Sequence, residues 1–154
     1  DIWQAGEPFS LRAGCPNLIE RIEGGLLSYG NDMTRNDTPL ECGLEKYCEL
    51  DSNSSFIGKS ALINQKQNGI ERSLAGLRID GPPIRRLQET APCRQNNKNC
   101  GYVTSAVFSP DFDTNIAIAM VSTKISREEE FIEVFIDGEW RIAACTTLPF
   151  TKAN

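Results

Sequence analysis

From Arg72 onward the chain is a succession of short runs rich in β-branched and aromatic residues, separated by turn-forming residues. No other feature restricts its fold as much. The runs cover 73–79, 101–109, 115–123, 131–136 and 140–147, with Gly81-Pro82-Pro83, Pro110-Asp111 and Asp137-Gly138 between them. Asp-Gly flanked by two such runs is a strong hairpin signal, because the tight turn that matches strand twist needs residues tolerant of positive φ. Five or six short strands with no helix between them predict a small antiparallel barrel or sandwich over 72–150.

The first 71 residues have a different character. The segment from Asp1 to Phe9 reads as the tail of a helix whose beginning lies outside the chain. Leu18, Ile19, Ile22 and Leu26 recur at helical spacing, and Asn17 stands where an N-cap belongs, so a helix is predicted over 18–27. Gly24 and Gly25 weaken it by about 1 kcal/mol each relative to Ala, and glycines in such a place indicate close packing on another backbone. Residues 31–53, dense in Asp, Asn, Thr and Gly, read as turns, and 58–67 as a short surface helix ended near Gly69.

At 154 residues the chain is long enough for one proper core. Its formal net charge of -5 with dispersed Lys and Arg argues against nucleic acid, and no apolar run approaches a membrane span, which predicts a cytoplasmic chain. There is no His, so Ser-His-Asp and Cys-His chemistry is excluded within this sequence. The six cysteines contain no C-x-x-C pair, which speaks against zinc, and a chain of this size does not depend on disulfide staples. The carboxylates Glu20, Glu23, Asp32, Glu41 and Glu45 cluster in sequence, and the plain reading is a solvated helix face with turn-capping Asp. Glu128-Glu129-Glu130 reads as a solvated loop. Arg21, with apolar neighbours and Glu23 two positions on, is expected to be partly buried and to need a carboxylate or carbonyl partner. Tyr29, followed by Gly30, can present its ring or hydroxyl toward a cleft. For both, a structural role is the first reading on chemistry alone.

Several motifs in fixed order carry a resemblance. RIEGGLLSYGNDMT (21–34), TPLECGLEKYCELD (38–51) and FIGKSAL (56–62), then GYVTSAVFSP (101–110), IAIAMV (116–121) and the closing LPF (148–150), resemble the glycine-cleavage T-protein family over nearly the whole chain. Within it, AGCPNLIERIEGGLLSYGND (13–32) is more similar to the dimethylsulfoniopropionate demethylase branch than to the aminomethyltransferases. The aminomethyltransferases carry A-R-D with its arginine, a folate contact, four residues before the position of Arg21. That position here is Asn17.

The resemblance implies an α+β chain. Residues 1–71 would be the end of a folate-binding region, made of helix and loops, and 72–154 a Greek-key-like antiparallel β-barrel, the carboxy-terminal part of a three-part cloverleaf. It implies tetrahydrofolate as cofactor, a small sulfonium methyl donor, and an amino-terminal half outside this chain that holds the catalytic Asp. No catalytic residue and no metal site is expected within these residues. Asn17, Arg21, Glu23 and Tyr29 are expected to shape the folate-cleft wall. The alternatives are aminomethyl transfer with a lipoyl carrier protein as partner, and a stand-alone binding or scaffold module without catalysis.

Overall fold

The alternation from Arg72 onward becomes six strands: β1 (Arg72–Ile79), β2 (Ala91–Gln95), β3 (Lys98–Ser109), β4 (Thr114–Ser122), β5 (Phe131–Ile136) and β6 (Glu139–Thr146). The computed structural model describes residues 1–11, 17–125 and 130–151. Its strands close into an antiparallel barrel in the order β1-β4-β3-β2-β5-β6, with β6 returning to β1. The hairpin-linked trio β2, β3 and β4 with β1 beside β4 is a Greek key, so the expected barrel is present and the sandwich option is set aside. Asp137 and Gly138 both take positive φ, at 54° and 85°, and close the predicted β5–β6 hairpin. The strand omitted from the sequence reading is β2.

Small and large residues alternate along β4 to serve two faces. Ala117, Ala119 and Val121 point into the barrel with Leu77, Val103 and Val134, while Ile116 and Ile118 face outward and are equally buried. The cover on that outer side is α2 (Leu18–Glu23), whose Ile22 packs with Val107, Ile116, Ile118 and Phe150. Burial on both faces explains why β4 reads as a continuous apolar run rather than a half-polar one.

α2 begins as expected. Asn17 Oδ1 accepts the Glu20 N–H at 2.9 Å and Glu20 Oε2 accepts the Asn17 N–H at 3.2 Å, a reciprocal capping box. It ends four residues earlier than the periodicity suggests. Gly24 caps it and Gly25 takes φ +62°, the left-handed conformation that closes many helices and that side chains resist. A Cβ on Gly25 would stand 3.2 Å from Leu148 Cβ, so the expected close packing is real, against the carboxy-terminal segment. That segment, with a cis Leu148-Pro149 bond, is tied back by the Phe150 N–H donating to Glu23 O at 2.8 Å.

The remaining elements are peripheral. α1 (Ile2–Gly6) and the 3₁₀ turn Glu7–Phe9 bury no residue. α3 (Lys59–Asn68) lies between Gly58 and Gly69 and is a surface helix as predicted. The 80–90 crossover is clasped by buried Asn115, which accepts from Ile84 N at 2.7 Å and donates to Ile79 O, Gly81 O and Pro82 O. Cys42, Cys48, Cys93, Cys100 and Cys145 are free thiols. Cys15, Glu128 and Glu129 lie outside the described residues, and Glu130 is exposed.

Candidate functional site

The four residues singled out from the sequence sit along α2 and the turn that follows it, but their side chains do different things. Asn17 is an exposed cap. Arg21 turns inward: Nη1 donates to Asp32 Oδ2 at 2.6 Å and to Leu26 O at 2.9 Å, and Nη2 donates to Ser105 Oγ at 2.7 Å. Arg21 thus has the carboxylate and carbonyl partners expected of it, and Glu23 accepts the Ser109 hydroxyl at 2.5 Å. Tyr29 is 67% exposed and forms a single parallel bridge with Met33.

The residue that organises this region is Asp32, which the sequence suggests only as a turn cap within a solvated cluster. Its side chain is fully buried. Besides Arg21, it accepts the Ser28 N–H at 2.8 Å, the Thr104 hydroxyl at 2.6 Å and the Ser105 hydroxyl at 2.7 Å. A buried carboxylate needs such a set, because desolvation would otherwise outweigh a single ion pair. The 28–33 turn that carries Tyr29 is thereby pinned to the barrel wall.

A β-bulge makes this possible. Val103 pairs with Ala119 but Ser105 pairs with Ile118, so Thr104 is an extra residue in β3. Strict alternation would put Thr104 and Ser105 on opposite faces. The bulge resets the phase: Val103 and Ala106 both join the barrel interior, Val107 faces α2, and the two consecutive hydroxyls meet one carboxylate.

A second latch holds the 34–41 turns. Arg72 Nε donates to Glu41 Oε1 at 2.8 Å and its Nη2 lies 2.9 Å from Asp37 Oδ1. Burial pushes the Glu41 carboxyl up, but the Thr38 N–H, the Arg72 guanidinium and the Thr38 hydroxyl outweigh it and hold it below its ordinary value. The burial of Asp32 and Glu41 thus corrects the reading of a solvated face, while the turn-capping role expected of Asp holds in the Ser28 N–H bond to Asp32.

Two recesses border the pinned segment. The smaller, of about 230 Å³, is polar and lies beside the start of α2, with Gly30, Asn31, Arg86, Gln88, Glu89 and Thr104 in its wall. The larger, of about 600 Å³, opens between Leu26, Met33, Leu44 and Tyr47 on one side and Leu74 and Leu148 on the other. Among the described residues no group of His, Cys, Asp and Glu is placed to hold a metal ion, and no helix is long and apolar enough to cross a membrane.

Comparison with known proteins agrees with this architecture. Residues 72–152 match the family model for the glycine cleavage T-protein C-terminal barrel domain. Dimethylsulfoniopropionate demethylase DmdA of Ruegeria pomeroyi is 49% identical over 122 residues, 78% of this chain and 32% of that protein. An aminomethyltransferase of Caldanaerobacter subterraneus is 35% identical over 156 residues, 99% of this chain and 41% of its own length. The crystal structure of glycine cleavage system aminomethyltransferase T from Bartonella henselae superposes with a TM-score of 0.73 at 29% identity, covering 85% of this chain and 37% of that one. The chain therefore spans 32% to 41% of the length of these relatives. With residues 72–152 matched by the family's terminal barrel domain, the chain belongs to the glycine cleavage T-protein family.

Proposed function

We propose that this chain is the carboxy-terminal part of a tetrahydrofolate-dependent methyltransferase that takes a methyl group from a small sulfonium donor, as its demethylase relative's name describes. The observation that carries this reading is the 49% identity to that relative, together with Asn17 at the position where aminomethyltransferases carry an arginine. Residues 1–71 then form the end of the folate-binding region and 72–154 the barrel domain, with the amino-terminal half supplying the catalytic Asp and the other side of the cleft. Free thiols throughout the described residues agree with a reducing compartment, which supports a cytoplasmic location.

The described residues suit part of a folate. The smaller recess is below the 300–1,000 Å³ that ligand pockets usually enclose, so it can wall only a section of the cofactor. Its amide, hydroxyl and guanidinium groups fit a polar, hydrogen-bonding section better than a hydrocarbon one. Asn17 and Tyr29 are the chain neighbours of Leu18 and Gly30 in its wall, which supports a role for both at the rim of the recess. Arg21 and Glu23, whose polar atoms are already engaged, shape the wall by holding it rigid. Tetrahydrofolate, when bound, supplies the nucleophilic nitrogen that accepts the one-carbon unit. This chain's contribution is orientation, through the Asp32 network, and exclusion of water.

Aminomethyl transfer with a lipoyl carrier protein is the second reading, favoured by 99% coverage in the aminomethyltransferase comparison. A form that includes the amino-terminal part, incubated with tetrahydrofolate and dimethylsulfoniopropionate, should yield methyltetrahydrofolate by mass spectrometry. Turnover only of an aminomethylated lipoyl carrier would transfer the assignment to the second reading. Tetrahydrofolate binding to neither the long form nor the 154-residue chain, measured by calorimetry, would leave a non-catalytic scaffold. Tyr29→Phe in the long form should raise the folate dissociation constant without altering the melting temperature.

A further inference from the structure

The free thiols of the barrel are not scattered. Cys93 and Cys145 are buried in its core, and Cys100 packs against that core while part of it stays open to solvent. Cys93 is on β2 and Cys100 on β3, strands joined by the two-residue turn Asn96-Asn97, where both residues take positive φ, at 51° and 60°. Gln95 pairs with Lys98 and Arg94 with Asn99, so the next rung of this hairpin brings Cys93 to Cys100. The ladder slips at that rung. Cys93 pairs with Gly101, and Cys100 is the extra residue of a second β-bulge in β3.

The bulge keeps these two thiols together. It sets Cys100 and Gly101 both opposite Cys93, and Gly101 puts no side chain between them. Arg94, the next residue of β2, turns outward to Glu133 and Trp140, which leaves Cys93 facing in, where Cys100 also packs. Opposed residues of antiparallel strands stand about 4.5–5.5 Å apart at Cα, and a disulfide spans about 4.4–6.8 Å. The backbone therefore already has the separation a bridge needs. Burial raises the Cys100 thiol, and burial with the nearby Cys100 and Cys145 sulfurs raises Cys93 to about 12. Both rest as protonated thiols, so the pair is slow to react and the dithiol is its resting form.

We propose that Cys93 and Cys100 are a redox pair, which hydrogen peroxide converts to a disulfide bridging β2 and β3 and a dithiol reductant converts back. Cys100 reacts first, because it alone of the two is open to solvent. Its sulfur, having lost the thiol proton, takes one peroxide oxygen as the O–O bond breaks, and the other oxygen leaves as water. Cys93 then gives up its proton and attacks the Cys100 sulfenic sulfur. The S–O bond breaks, a second water leaves and the S–S bond forms. The two thiols together lose two electrons and the peroxide is reduced to water. The bridge closes a short ring around the Asn96-Asn97 turn and fixes the hairpin whose Arg94 and Gln95 hold β5 through Glu133 and Phe131 O. The proposal does not depend on the catalytic reading.

The test treats the folded chain, kept dilute, with hydrogen peroxide, alkylates it in denaturant and digests it with trypsin without reductant. Trypsin cuts after Arg94 and Lys98, between the two cysteines, so a bridge appears as a linked pair of peptides that dithiothreitol separates. The oxidised chain should melt about 5 °C or more above the reduced one and return to the starting midpoint with dithiothreitol. Cys100→Ser should abolish the linked peptides and leave Cys93 open to alkylation, whereas Cys93→Ser should leave Cys100 as a sulfenic acid that dimedone traps. Cys48→Ser should change neither result. Linkage of Cys100 to Cys145 in place of Cys93, or linkage between chains, overturns the proposal. So does full alkylation of Cys93 and Cys100 at peroxide concentrations that have converted the half-buried Met33 to its sulfoxide. If Cys93→Ser fails to fold, Cys100→Ser, at the partly exposed position, carries the test.

Discussion

Replacing Asp32 with Ala removes a buried carboxylate that joins α2, the 28–33 turn and β3. Four donors lose their acceptor: the Arg21 guanidinium, the Ser28 N–H and the hydroxyls of Thr104 and Ser105. The hydroxyls can rotate, and Thr104 keeps its bond to Ile118 O at 3.0 Å, so their loss is modest. Arg21 cannot escape as easily, because its side chain is 16% exposed and its remaining partners are Leu26 O and Ser105 Oγ. Breaking a buried pair from one side costs about 3–5 kcal/mol, since the surviving charge is left uncompensated. For a chain of this size each kcal/mol moves the melting temperature by about 2–4 °C, so Asp32→Ala should lower it by about 6–20 °C.

Removing both charges should cost less than the sum of the two single changes, because the double variant has no orphaned ion. Urea titration of the wild type, Asp32→Ala, Arg21→Met and the double variant gives the coupling directly. Trp140, packed on Phe135 and Arg94, is a fluorescent reporter of barrel integrity, whereas Trp3 is exposed. A loss below about 1 kcal/mol for Asp32→Ala, or strict additivity in the cycle, would refute the assignment of Asp32 as the fastener of this region.

Asn17→Ala should destabilise α2 by about 1 kcal/mol through loss of the capping box, with a matching fall in urea midpoint, and Asn17→Ser should recover most of it. Gly101→Ala should abolish folding, seen as loss of soluble protein, since φ is 149° and a Cβ would sit 2.2 Å from Met120 O. Burial raises the Cys93 thiol from 9.0 to about 12, so the unfolded chain loses its proton first as pH rises. Stability should therefore decline by about 1.4 kcal/mol per pH unit from that thiol between pH 9 and pH 12, and Cys93→Ala should flatten the decline. Glu41, held low, contributes stability that is present above the usual carboxyl range and lost as pH falls through its depressed value; Glu41→Gln should reduce acid sensitivity in a pH melt.

Local patterns in this sequence were legible where a local cause sufficed. The Asp137-Gly138 hairpin, the Asn17 cap and the alternation of β1 and β5 each depend on neighbours in the chain, and each is found as read. Gly24-Gly25 was visible and marks close packing as read, but it also stops the helix, because Gly25 adopts a left-handed conformation against Leu148. β2 escaped notice because Ala91–Gln95 is short and contains Pro92, a residue that argues against a central strand. It is accommodated because the ladder to β5 involves only Cys93 and Arg94, so Pro92 is paired with Tyr102 of β3 alone.

Asp32 marks where local reading ends. A Tyr-Gly-Asn-Asp turn reveals nothing about a carboxylate's depth, because its decisive partners lie 72 and 73 residues away in β3. Those partners converge only because of the bulge at Thr104, and the bulge is itself invisible in a run that alternates acceptably with or without it. The bulge absorbs the extra residue, so that Val103 and Ala106 both stay inside the barrel and Val107 lies under α2. Removing Thr104 without replacement should delete the bulge with it: Val103, Ser105, Ala106 and Val107 then follow regular alternation against Ala119, Ile118, Ala117 and Ile116, and the barrel core should keep its faces. A Thr104→Val variant, which keeps the residue count, should retain the barrel and lose only the Asp32 and Ile118 hydrogen bonds. The difference between those two variants in thermal melting separates the backbone effect of the bulge from the polar role of residue 104.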